Sequence, residues 1–281
     1  MGSLSDYAEN ELLDHLFNAA YSPAATIYIG LSTADPTDDA SGIAEPSNGY
    51  AREIITFDAA ASRKVVQAAA IEFDEASGVW GTITHWFICD HLTNDTFGTN
   101  VNMLAHGEFD PDFAPVSGNT PTIADEAVEV EISATTGNGG FTTSCVHDLL
   151  NLMFRNVAYA SPANNTFLAL LNAVGDDTDA TMADCTEITG TDYARKEVNP
   201  NGGSSPTWDL AVGGALDNGA AITFATVGAA DWDEIVAVAI CTAVSNDTCD
   251  VLAYDNDVVD QTPGNGDTVQ FDTGAFDISL T

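Results

Sequence analysis

Three groups of residues have the types and spacing that chemistry would need. His85, Cys89, Asp90, His91 and His106 share one stretch and offer imidazole, thiol and carboxylate, the donor set of transition-metal sites. Their spacing matches no standard pattern, and the second half of the chain keeps none of these histidines, so they read as surface or core residues. Asp255 and Asp257, flanking Asn256, and Asp260 supply oxygen ligands of the kind calcium takes. They lack the glycine and closing glutamate of an EF-hand and stand as candidates for a structural cation, with no other cofactor expected. Trp80, Trp86, Trp208 and Trp232 present flat faces on which a sugar could stack. Trp80 and Trp232 each precede the apolar run of their half, which places them in a core instead.

Enzyme signatures are missing. The two lysines, Lys64 and Lys196, each follow an arginine, so no phosphate-binding loop ending in Gly-Lys exists. Neither H-E-x-x-H nor G-x-S-x-G occurs. Paired carboxylates are uninformative where 43 of 281 residues are acidic. The expectation is a non-enzymatic protein. Five cysteines form no C-x-x-C pair and read as buried free thiols, although Cys241 and Cys249 could face each other across a hairpin and bond in an oxidising exterior.

Six basic residues against 43 acids give a formal charge of −37. The acids run from Asp6 to Asp277 between apolar segments, which is the distribution of a halophilic protein and not of an acidic tail. Such a charge excludes nucleic acid as a partner, because no lysine-arginine stripe exists to neutralise phosphates. The longest apolar run, Ile235 to Cys241, is too short to span a bilayer, so membrane insertion is not expected, and no basic, apolar leader opens the chain. With 45% hydrophobic residues the chain can build a core.

The elements that would position these residues come in duplicate. Glu11-Leu12-Leu13-Asp14-His15-Leu16-Phe17 returns as Asp148-Leu149-Leu150-Asn151-Leu152-Met153-Phe154. Tyr21-Ser22-Pro23 returns as Tyr159-Ala160-Ser161-Pro162, and the run from Thr26 to Leu31 as that from Thr166 to Leu171. Acidic loops then close on Tyr50-Ala51-Arg52 and Tyr193-Ala194-Arg195. Later blocks around Phe73 and Phe224, and Ile88-Cys89-Asn94-Asp95-Thr96 against Ile240-Cys241-Asn246-Asp247-Thr248, keep the same order. The halves are homologous, with repeats expected at 1–134 and 144–281 and a small-residue linker at 135–143.

Each repeat begins with an amphipathic helix, carrying Leu12, Leu13, Leu16, Phe17 and Ala20 on one stripe behind an N-cap at Ser5 or Asp6. Period-two alternation in 127–132 and 268–272 marks strands. The expected fold is mainly β, one N-terminal helix per repeat, as two tandem β-sandwich or small-barrel domains. Of four arginines, Arg52 and Arg195 recur at equivalent positions after Tyr50 and Tyr193. They are expected to be structural, each tying its acidic loop to the sheet through backbone carbonyls or an aspartate, with Arg63 as an ordinary exposed charge for comparison.

The order of Leu-Leu-x-x-Leu-Phe helix, Tyr-Ser-Pro, Ile27-Tyr28-Ile29-Gly30-Leu31-Ser32, Gly49-Tyr50-Ala51-Arg52 and Trp80-Gly81-Thr82-Ile83-Thr84-His85 resembles a small β-rich virion protein of tailed phages, described among its relatives as capsid decoration or tail-fibre-associated. The second half departs from it where Gly49 becomes Asp192 and the Trp-Gly-Thr block becomes Trp232-Asp233-Glu234. The resemblance, with the acidity, implies a haloarchaeal tailed virus. It implies a protein made in the host cytoplasm and carried on the virion surface as a symmetric homo-oligomer bound to the major capsid protein or other virion proteins. Capsid decoration or a turret is the first expectation, and a tail fibre or baseplate component the alternative.

Overall fold

The computed structural model describes residues 2–93, 96–133, 139–159 and 165–280. The first half runs β1 (Gly2–Leu4), α1 (Asp6–Phe17), β2 (Ile27–Ser32), β3 (Glu53–Ile55), β4 (Lys64–Val66), β5 (Ile71–Glu72), β6 (Ile83–Cys89), β7 (Met103–Phe113), β8 (Thr122–Ile123) and β9 (Glu129–Glu131). The second half repeats it as β10 (Gly139–Phe141), α2 (Thr143–Arg155), β11 (Thr166–Leu171), β12 (Lys196–Val198), β13 (Ala215–Asp217), β14 (Ile222–Thr226), β15 (Ala237–Cys241), β16 (Val251–Asp255), β17 (Thr268–Phe271) and β18 (Asp277–Ser279). The protein is thus mainly β, built from two tandem copies, each with a single helix among the described residues.

Strand order β3-β2-β6-β7-β1 in one half is matched by β12-β11-β15-β16-β10 in the other. The antiparallel pairs β4 with β9 and β13 with β18 also correspond, as do β5 with β8 and β14 with β17. The copies differ at one seam. Gly2 pairs with Val130 and joins β9 to the first sheet, whereas β18 stays apart from β10 and leaves a cavity of about 420 Å³ lined by Phe141, Tyr254 and Ile278.

The short strand ahead of each helix had no periodicity to announce it. Gly2 is required there, since a Cβ would lie 2.2 Å from the Trp86 ring. Residues 139–143, expected as linker, are β10 and the start of α2. Residues 134–138 lie outside the described residues, as do 160–164, which held the second Tyr-Ser-Pro copy, and Asn94-Asp95. Of the two N-cap candidates it is Ser5 that caps α1, its Oγ accepting from Ala8 N at 3.3 Å and donating to Met103 O on β7. Thr142 does the same for α2, accepting from Cys145 N at 3.3 Å and donating to Val251 O at 2.7 Å. One side chain therefore both ends the helix's unsatisfied turn and pins the helix to its own sheet. Helix α1 stops at Phe17, leaving Ala20 exposed beyond it.

Each helix then reaches across to the other repeat. Asn151 Oδ1 and His147 Nε2 on α2 accept from Ala60 N and Arg63 N, both at 3.0 Å, at the turn before β4. Asp14 Oδ1 and Asn10 Oδ1 on α1 accept from Ala211 N and Gly214 N, also at 3.0 Å, at the turn before β13. The apolar contacts repeat the exchange, with Phe17 against Trp208 at 5.0 Å and Phe154 against Phe57 at 5.3 Å between ring centres. Reciprocal use of one contact by two copies is the geometry of an isologous dimer. Here it lies within one chain, and a single apolar core runs from Leu4 through both helices to Leu280.

Candidate functional site

The two repeated arginines sit in matching clusters. Arg52 grips Glu45 with Nε at 2.9 Å and Nη2 at 2.7 Å, while its Nη1 donates to the carbonyls of His91 and Thr93 at 2.9 Å each. The guanidinium lies 5.3 Å from the Phe87 ring and 5.0 Å from that of Phe97. Tyr50 donates its hydroxyl to Glu45 Oε1 at 3.0 Å and accepts from Leu31 N at 2.8 Å. Trp80 meets Tyr50 edge-on at 5.4 Å and donates Nε1 to Asn48 O at 3.0 Å.

Arg195 rebuilds this with Glu187 at 3.0 and 2.8 Å, and with the carbonyls of Ala243 and Asn246 at 2.9 and 3.1 Å. Tyr193 donates to Glu187 at 2.7 Å and accepts from Leu170 N at 2.9 Å, with Trp232 edge-on at 5.4 Å. Asp192 holds the left-handed φ of 67° that Gly49 holds at 86°, so this substitution keeps the turn at a cost of roughly 1 kcal/mol. All four tryptophans are buried.

The acid in each clamp is the one glutamate of an otherwise aspartate-bearing loop, not an aspartate. Its extra methylene gives the reach for a two-point grip. Sequence reasoning passed over it, although a glutamate five or six residues before each tyrosine was there to be seen. Burial lowers the Arg52 basicity, but the Glu45 hydrogen bond together with the nearby Cys89, Glu45 and Tyr50 groups outweighs it and leaves the pKa raised; burial and Glu45 push Tyr50 well above the usual phenol range. Every nitrogen of both guanidinium groups donates within its own repeat, so the clamps fasten loops.

Arg63 is not an exposed charge. It is buried and donates from Nε to Ile132 O at 3.1 Å, from Nη2 to Ser133 O at 3.1 Å and from Nη1 to Phe141 O at 3.0 Å. It thereby ties the end of the first repeat to the first strand of the second. Ser62 and Arg63 form a two-residue hairpin turn at φ 51° and 62°, where the second repeat has Gly213 and Gly214 at 60° and 75°. A non-glycine pair is strained in such a turn, and the three bonds across the join account for an arginine there.

The histidine group is dispersed. Cys89 faces Arg52, Asp90 accepts from Asn102 N and Nδ2 at 2.8 and 2.7 Å, and His91 shares a hydrogen bond with the Thr93 hydroxyl. His106 bonds Asp38 at 2.9 Å, and Asp35 lies 4.0 Å from both His85 and His106. Asp257 N donates to Asp255 Oδ1 at 2.8 Å, an ordinary turn contact. Neither this group nor Asp255, Asp257 and Asp260 converges; among the described residues no three such side chains gather as a metal site would need.

His85 and His106 line a cleft of about 420 Å³ with Asp35, Glu108, Glu131 and Glu9. Glu9, an acid in the first turn of α1, is only 7% exposed. Burial first, then Asp38 and Asp6, push its carboxyl up to about 7. A raised acid favours the folded state while protonated, so its contribution is full below the ordinary carboxyl value of 4.5, declines above it and is gone once pH has risen through about 7. Glu9→Gln should therefore raise the melting temperature at pH 8 and leave it nearly unchanged at about pH 4. The gain at pH 8, discounted for solvent in the cleft, is about 1 kcal/mol, or roughly 2–4 °C. Equal melting shifts at the two pH values would show that the carboxylate is solvated.

The two repeats are matching β modules, each stapled internally by its arginine. The family model described as podophage GP4 fiber I protein gp80 matches residues 3–131 and again residues 140–279. The chain belongs to this family, in two tandem copies, and is a structural phage-virion protein. No curated protein matches it. The family's description favours the tail-fibre alternative over capsid decoration, the first expectation from the sequence. No helix of the described residues is long and apolar enough to cross a membrane.

Proposed function

We propose that this chain is a non-enzymatic component of the fibre apparatus on the outer surface of a tailed virus, with a halophilic host. The observation that carries this reading is the fibre-family match over both repeats. The buried arginine clamps support a scaffold role, and the charge of −37 supports a saline exterior and contacts with protein and not with packaged DNA. Self-association and docking on neighbouring virion proteins belong to this proposal. The helix exchange is already filled within the chain, so a homo-oligomer would use other surfaces, such as the edge strand β3 with exposed Ile54.

Copy number and gold labelling on purified particles test it. A tail-localised signal with about a dozen copies, the count a closed symmetric assembly gives, is expected. Label spread over the capsid in hundreds of copies would return the protein to capsid decoration.

A further inference from the structure

The clamps differ in what lies beneath the arginine. In the first repeat Cys89 sits beside Arg52 Nη1 at 3.5 Å, and Phe97 fills the remaining space against Phe87 at 5.5 Å. The second repeat keeps the cysteine as Cys241 but replaces the phenylalanine with Cys249. Both thiols are buried in one small cluster. They converge on a single oxygen, the Ala243 carbonyl, at 3.6 and 3.9 Å. Arg195 Nη1 lies 3.3 Å from Cys249 Sγ.

We propose that Cys241 and Cys249 are a redox pair that closes to an intramolecular disulfide once the protein leaves a reducing cytoplasm, locking the 242–249 loop beneath Arg195. The oxidant is an external low-molecular-weight disulfide. The Cys249 thiolate attacks one sulfur of it, giving a mixed disulfide and releasing one thiolate that takes the Cys249 proton. The Cys241 thiolate then attacks Cys249 Sγ, expelling the second thiolate, which takes the Cys241 proton. Two protein thiols are oxidised and one external disulfide is reduced to two thiols. Cys249 is favoured as the first nucleophile, because the neighbouring Cys241 and the Arg195 guanidinium at 3.3 Å hold its thiol below the ordinary range against the opposing effect of burial. Cys185 packs at the margin of the same cluster, but burial and Asp179 push its thiol up to about 12. It is the competitor to exclude. The virion reading enters only in where the oxidant is met, so a test on the purified chain stands or falls separately from it.

The full chain, purified reduced in high salt, is equilibrated with oxidised glutathione, then alkylated under denaturing conditions. Alkylatable thiols should fall from five to three, with a loss of about 2 Da before alkylation and a Cys241–Cys249 cross-linked peptide. Cys249→Phe, which copies the first repeat, and Cys249→Ser should each keep all four remaining thiols under the same treatment. Five thiols persisting in the wild type, or a link from either cysteine to Cys185, would overturn the assignment.

Discussion

Arg52→Met is expected to cost on the order of 3–5 kcal/mol of folding stability, the largest loss of any single substitution considered. The Glu45 side chain is 4% exposed, so removing the guanidinium strands a buried carboxylate with only Tyr50 to hold it, along with two loop carbonyls. Arg195→Met should cost less, about 2–3 kcal/mol, because Glu187 is 23% exposed and water can take over part of the lost interaction. Arg63→Met removes bonds to three carbonyls and no ion pair, at about 2 kcal/mol. Arg155 is exposed on α2 and serves as the comparison, with under about 1 kcal/mol expected. Urea unfolding in 3 M potassium chloride reads all four. One core spans the two repeats, so each loss should shift a single transition and not split it in two. Four equal, small shifts would show that the repeated arginines carry no structural task.

Salt is expected to move stability further than any substitution. Among the described residues Arg52, Lys64 and Arg195 are engaged with Glu45, Glu129 and Glu187, which leaves most of the 43 acids without a basic neighbour. Two carboxylates about 7 Å apart repel by about 0.3 kcal/mol in 0.1 M salt and under about 0.1 kcal/mol in 1 M salt. A few tens of such pairs sum to several kcal/mol, a large share of what holds any domain folded. Thermal melts between 0.1 M and 3 M potassium or sodium chloride should therefore rise steeply. A midpoint independent of salt over that range would end the halophilic interpretation.

Much of the architecture was legible in the chain because duplication writes each element twice. The Leu-Leu-x-x-Leu-Phe helix, the alternating strands around Val130 and Val269 and the Tyr-Ala-Arg turns were all readable, since local periodicity reports which face of an element is buried. Strand β1 was not, because three residues carry no period and the need for Gly2 is set by Trp86, far along the chain. The burial of Glu9 was not legible for the same reason: a helix pattern cannot show that the face opposite its apolar stripe is covered by the turn at Gly214 and the loop of Asp38.

The sequence by itself determined the tandem β organisation, the acidity, the absence of familiar enzyme motifs and the recurrence of Arg52 and Arg195 at equivalent positions, because composition and internal repetition are properties of the chain alone. Only the tertiary structure decided that Glu45 and Glu187 are the partners of those arginines, that Arg63 fastens one repeat to the next, that each helix packs on the opposite repeat and that Cys241 meets Cys249. Arg63 and the helices meet residues 69 to 204 positions away, and the glutamates and cysteines meet across loops of seven or eight residues whose path the sheet sets; no periodic pattern encodes either kind of contact, and they exist once the sheets have formed and burial has chosen which polar groups must find each other.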